Sequence, residues 1–115
     1  SRQLMAARVE KIIHAGEREV KVLFTNRALA EAEQACGKSV IGIVNGLANG
    51  GSGIGEVASL LKAGMEAYRR DAKEGSKAIS INDAYEVMDE AGFEAVTTVV
   101  MTAVAEVISY GSKNV

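Results

Sequence analysis

The alternation of apolar and polar positions changes period once along the chain. Val20, Val22 and Phe24 alternate with Glu19, Lys21 and the apolar exception Leu23, a period near two. Upstream, Val9, Ile12 and Ile13 form a second β-prone run. Between the runs, His14-Ala15-Gly16-Glu17 offers a glycine that can take the positive φ of a tight turn. The spacing predicts a β-hairpin over 8–24. A lone hairpin is marginal in water, so it must pack on helices or on another subunit.

Beyond Phe24 the period is helical. Thr25 or Asn26 can cap a helix from Arg27 to Cys36 that Gly37 ends, with Leu29, Ala32 and Cys36 on one face. Ser39 can cap a second piece, Val40 to Ala48, whose apolar residues are Val40, Ile41, Ile43, Val44 and Leu47. Asn49-Gly50-Gly51-Ser52-Gly53 reads as a flexible loop by composition. From about Ile54 to Lys73 the pattern is the most regular in the chain, with Ile54, Val57, Leu61, Gly64, Met65 and Tyr68 at helical spacing. Ser80-Ile81-Asn82-Asp83 is a capping signature for a helix to about Ala91, which Gly92 stops. A last helix runs from Phe93 to Tyr110 and ends at Gly111. The pattern therefore predicts one α+β domain over 1–115. Its N-terminal β-hairpin is followed by a mostly α-helical bundle of four to five helices over 26–111, interrupted by the flexible glycine-rich loop 49–53.

Composition narrows what such a domain can do. Hydrophobic residues make up 48% of the chain but aromatics only 4%, so the core is aliphatic and stacking on bases is poorly served. A net charge of -2 leaves no basic excess for nucleic acid. The densest basic stretch, Tyr68 to Lys73, is diluted by Asp71 and Glu74 and reads as a solvated helix face. The single cysteine, Cys36, excludes an internal disulfide and a cysteine-rich zinc site and fits a reducing compartment. Ser1 to Ala7 lacks the apolar run of a signal peptide. Phe93 to Tyr110 is short for a bilayer and carries Glu94, Glu106 and three threonines, so no membrane association is expected.

Candidate chemistry is sparse. Gly50-Gly51-Ser52-Gly53-Ile54-Gly55 follows a helical segment instead of a buried strand, and no Lys-Ser or Lys-Thr comes after it, so it is neither a dinucleotide fingerprint nor a P-loop. His14 has no nucleophile or second ligand to work with, and Cys36 at a helix C-terminus is not activated as a thiolate. Asp83, Glu86, Asp89 and Glu90 line one polar helix side and lack the alternating ligands of a calcium loop. No catalytic residue, metal ligand or cofactor site is assigned. The last helix stands out, because Val96, Val99, Val100, Met101, Ala103, Val104, Val107 and Ile108 nearly encircle it. Either it is the central helix of the bundle, or one side contacts a partner or a second copy.

The order of elements resembles a known family. The run Val20-Lys21-Val22-Leu23-Phe24 leads directly into Thr25-Asn26-Arg27-Ala28-Leu29-Ala30-Glu31-Ala32-Glu33 and Cys36-Gly37-Lys38-Ser39-Val40. Leu60-Leu61-Lys62-Ala63-Gly64-Met65 then precedes Ile79-Ser80-Ile81-Asn82-Asp83-Ala84-Tyr85, Glu86-Val87-Met88 and Gly92. Over about Glu10 to Tyr110 this is similar to the tail assembly chaperones of long-tailed phages and gene transfer agents. Met65 stands where that family often has leucine, and Asn82-Asp83 replaces its Glu-Glu. The resemblance implies a non-enzymatic, self-associating protein of the bacterial host cytoplasm that coats the tape measure protein until tube subunits replace it. That role needs apolar surface able to cover a long helix and release it. The candidate partner contacts are Val96, Val100, Met101, Val104 and Val107 on the last helix, with Met65 and Met88. A structural tail component, tube or connector, is the alternative, although tube subunits are dominated by β-sheet. A small helical DNA-binding regulator is a further one, disfavoured by the acidic balance.

Overall fold

A computed structural model describes residues 6–112. Strand β1 (Val9–Ala15) pairs antiparallel with β2 (Arg18–Phe24) through Val9 opposite Phe24, Ile13 opposite Val20 and Ala15 opposite Arg18. Gly16, at φ 65°, occupies the first central position of the two-residue turn, where a hairpin matched to the strand twist needs positive φ. Ile13 and Ala15 of β1 share a face with Val20, Val22 and Phe24 of β2, and all five are buried. Leu23, the break in the alternation, is buried as well.

Five helices follow: α1 (Asn26–Cys36), α2 (Val40–Asn49), α3 (Ile54–Ala72), α4 (Ile81–Ala91) and α5 (Phe93–Ser109). Their ends are fixed by the short polar residues and glycines that punctuate the sequence. The Thr25 hydroxyl accepts from the Ala28 amide, Ser39 from Gly42, and Ser80 from Asp83. The Asp83 carboxylate accepts from the Ser80 amide in return, completing a capping box. At the α1 C-terminus, Gly37 takes the left-handed conformation and donates its amide to the Glu33 carbonyl.

The centre of the bundle is α3, not α5. Helix α3 packs against β2, α1, α4 and α5, and Val57, Ala58, Leu60 and Leu61 are fully buried along it. Helix α5 lies on β1, α3 and α4 and buries one stripe, Val96, Val100, Ala103, Val104 and Val107. Its opposite side, Thr98, Thr102, Ala105 and Glu106, is exposed. Of the apolar residues that suggest an encircled helix, Val99 and Met101 lie half-buried at the stripe's margins and Ile108 is exposed.

Between α2 and α3 the glycine-rich loop is fastened at several points. Lys38 Nζ donates to the Gly51 carbonyl at 2.6 Å and pairs with Glu56 at 3.2 Å. The Ser52 amide reaches the Gly46 carbonyl, and the Gly53 amide donates to Glu56. The Gly53 amide first, and the Lys38 ammonium second, hold the Glu56 carboxyl below its ordinary pKa. The basic stretch after Tyr68 is likewise engaged instead of simply solvated. Arg69 and Arg70 bind Glu66, and Arg70 also reaches Glu31 on α1. Glu66 further accepts from the Ile79 amide, which ties the α3–α4 connection back onto α3.

Candidate functional site

The candidate partner contacts fall in two environments. Val96, Val100, Val104 and Val107 point into the core, and Met65 and Met88 are buried with them. Met101 alone of the seven is half-exposed. The structure thus brings the set together as packing around α3 and α5 and leaves one member at the surface. A methionine at helical spacing beside small aliphatics fills gaps in a core, and Met65 and Met88 do so here.

Met101 opens onto a groove that sequence reasoning missed. One wall is α2, which contributes Ile41, Val44, Leu47 and Ala48. The other is α5, contributing Thr97, Met101, Ala105 and Ile108, with Val104 at the floor. The groove holds about 540 Å³ and opens to solvent. Ile41 is 53% exposed, Val44 36% and Ile108 48%. Among the described residues no charged one lines it. The Thr97 hydroxyl oxygen is buried there without a hydrogen-bond partner among the described residues.

Physical reasons for the opening lie in α2. Only Val40, Ile43 and Gly46 of its ten residues are buried. A helix that buries one stripe normally shows charge on the other side. From Ser39 to Gly55, however, the sequence contains no Asp, Glu, Lys or Arg, and Ala95 to Ala105 on α5 contains none either. These two uncharged stretches meet across the groove. Their coincidence was the legible signal. Gly46 allows the close fold of α2 on its own loop, because a Cβ there would lie 2.2 Å from the Ser52 hydroxyl oxygen.

Exposed apolar side chains outside the groove include Ile12, Ile54 and Phe93. A second cleft of about 550 Å³ between β2 and the end of α3 is lined by Arg18, Lys21, Arg69 and Lys77, but also by Glu19 and Glu74. Lys21 lies over the Tyr68 ring, 5.9 Å from its centroid. Arg18 is paired with Glu90, and Arg69 with Glu66. From Ala78 to Ser112 every charged residue is acidic: Asp83, Glu86, Asp89, Glu90, Glu94 and Glu106. His14 is exposed beside the hairpin turn, and half-buried Cys36 donates to the Ala32 carbonyl. Among the described residues no three His, Cys, Asp or Glu side chains converge as a metal site. No single described helix is long and apolar enough to cross a membrane.

No protein-family model matches the chain, and no curated protein or solved structure matches it significantly.

Proposed function

We propose that this chain is a tail assembly chaperone of the phage or gene-transfer-agent type, which binds the tape measure protein and keeps it soluble until tube subunits assemble around it. The observation that carries the reading is the uncharged, open groove between α2 and α5. Apolar surface kept exposed in a small domain is a binding surface. Further support comes from the order of elements, a hairpin running directly into a helical bundle, which is what the sequence resemblance implies.

Magnitudes fit a reversible coat. Burying the exposed parts of Ile41, Val44 and Ile108 supplies about 1 kcal/mol each, no more than the cost of bringing two molecules together. Each contact would be weak alone. Many copies along one extended partner would hold it through avidity and still be displaced stepwise by a polymer that binds more tightly. The proposed setting is the host cytoplasm, with self-association along the partner.

The acidic α4 and α5 surfaces oppose the regulator alternative, since they would repel a phosphate backbone. The test is co-expression with a tape measure protein from the same gene cluster, followed by light scattering of the soluble fraction. A soluble complex that forms only with this chain supports the proposal and gives its stoichiometry. Insoluble tape measure protein beside a freely eluting monomer overturns it.

A further inference from the structure

We infer that the outer edge of β1 pairs with β1 of a second copy, antiparallel about a two-fold axis at Ile12, so that two hairpins join into one continuous sheet. The inference deepens the self-association proposed above by naming its surface, and its evidence is the strand edge alone.

The turn fixes which main-chain groups face outward. A two-residue turn makes Ala15 and Arg18 a hydrogen-bonded pair, and Ile13 with Val20, Lys11 with Val22 and Val9 with Phe24 follow at every second residue. The amides and carbonyls of the residues between them, Glu10, Ile12 and His14, therefore point away from β2. The sheet has only these two strands, and among the described residues no hydrogen bond reaches the outward main chain of Ile12 or His14. An open edge is commonly blunted by an outward lysine, a proline, a bulge or a short strand. Strand β1 has none of these. The chain lacks proline, the register runs unbroken over seven residues, and Lys11 lies on the inner face, tied to Glu106 of α5. The other strand does carry an outward lysine, Lys21, opposite Ile12.

Only an extended strand satisfies such an edge, which excludes a helix. The side chains decide whose strand it is. Antiparallel pairing centred on Ile12 sets that residue, 45% exposed, against Ile12 of the second copy. It also sets Glu10 against His14 of the second copy on both sides of the axis. Acid, apolar, base is a pattern that complements itself when reversed. Parallel pairing would set Glu10 against Glu10, and a slip of two residues would set Ile12 against Glu10 or His14. Glu10 has a partner in its own chain, but a carboxylate accepts more than one hydrogen bond, so the facing imidazole shares it.

Sedimentation equilibrium of the full chain, up to roughly millimolar concentration, tests it. The wild type should show a monomer–dimer equilibrium. His14→Glu, which sets two carboxylates face to face, should weaken it at least tenfold. Adding Glu10→Lys to His14→Glu restores opposite charges across the axis and should recover most of the lost affinity. Ile12→Pro removes an outward amide without touching the hairpin ladder and should abolish the dimer while the helical circular dichroism is kept. Should that variant unfold, the charge reversal and its rescue decide alone. Hydrogen exchange adds a main-chain readout, since the Ile12 amide should gain protection as the dimer forms. The inference is overturned by a wild type that stays monomeric, by a dimer that His14→Glu leaves intact, by the double variant failing to recover, or by an unprotected Ile12 amide in the dimer. A dimer that Val44→Glu dissociates overturns it as well, because the α2/α5 groove would then be the interface. A monomeric chain that still keeps tape measure protein soluble removes this inference and leaves the chaperone reading. A dimer with these responses that binds no tape measure protein does the reverse.

Discussion

Replacing Gly64 by alanine isolates the contact that fastens the hairpin to the central helix. Gly64 is buried in the middle of α3, where alanine would ordinarily stabilise a helix by about 1 kcal/mol. In this fold a Cβ on Gly64 would lie 2.5 Å from Phe24 Cζ, and 2.9 and 3.0 Å from Cε2 and Cε1. Carbon atoms are most favourable about 3.5–4 Å apart, so the ring must move by about an ångström. Phe24 has no room for that, since it is fully buried at the end of β2 among the residues of the hairpin's inner face. Overpacking of this kind costs about 1–3 kcal/mol, and so severe a contact belongs in the upper half of that range. Subtracting the helix-propensity gain leaves a net loss of about 1–2 kcal/mol, a fall in Tm of roughly 4–8 °C for a domain of this size. Urea and thermal unfolding followed by circular dichroism measure it. Phe24→Leu should then cost less in the Gly64→Ala background than in the wild type, because the smaller side chain vacates the space the methyl needs. A Gly64→Ala protein more stable than wild type, with no coupling to Phe24, would refute this packing of β2 on α3.

Other perturbations read different parts of the account. Glu66, held by Arg69 first and by the Ile79 amide, has its pKa lowered to about 2. Its contribution is therefore present above its unfolded pKa of 4.5 and is lost as pH falls from there toward 2, so acid titration of stability should steepen in that window and flatten in Glu66→Gln. At neutral pH that variant should lose about 1–2 kcal/mol, measured by urea unfolding. Thr97→Val keeps the shape and removes a buried hydroxyl without a partner, so it should raise stability by about 0.5–1 kcal/mol; a loss in thermal unfolding would mean the hydroxyl is bonded after all. Val100→Glu places a carboxylate at a fully buried position and should abolish the cooperative transition and the helical signal, not merely partner binding.

How far the sequence revealed the fold differs between boundaries and layers. Helix ends were legible because Thr25, Ser39 and Ser80 satisfy first-turn amides and Gly37 and Gly92 take positive φ, all local chemistry. The hairpin was legible for the same reason, through Gly16 and the alternation in β2. Which helix lies at the centre was not. The encircling Val and Ala of α5 and the amphipathic stripe of α3 differ little as patterns. Only tertiary topology puts β2, α1, α4 and α5 around α3. The same limit applied to the candidate contacts: Met65 and Met88 have the type and spacing of both a core and a docking face, and burial distinguishes the two. The groove itself left a trace in the uncharged run from Ser39 to Gly55. Its significance depends on α2 being a surface helix, which its apolar residues alone do not reveal.

The most direct measurement of the central claim is recovery of soluble tape measure protein when it is co-expressed with wild-type chain, Val44→Glu or Ile54→Glu. Both substitutions are at exposed positions and should leave unfolding within about 0.5 kcal/mol of wild type, so any difference between them reports the groove. The account predicts equal soluble complex with wild type and Ile54→Glu, and tape measure protein in the pellet with Val44→Glu. Equal recovery with all three variants, or none with wild type, would contradict it.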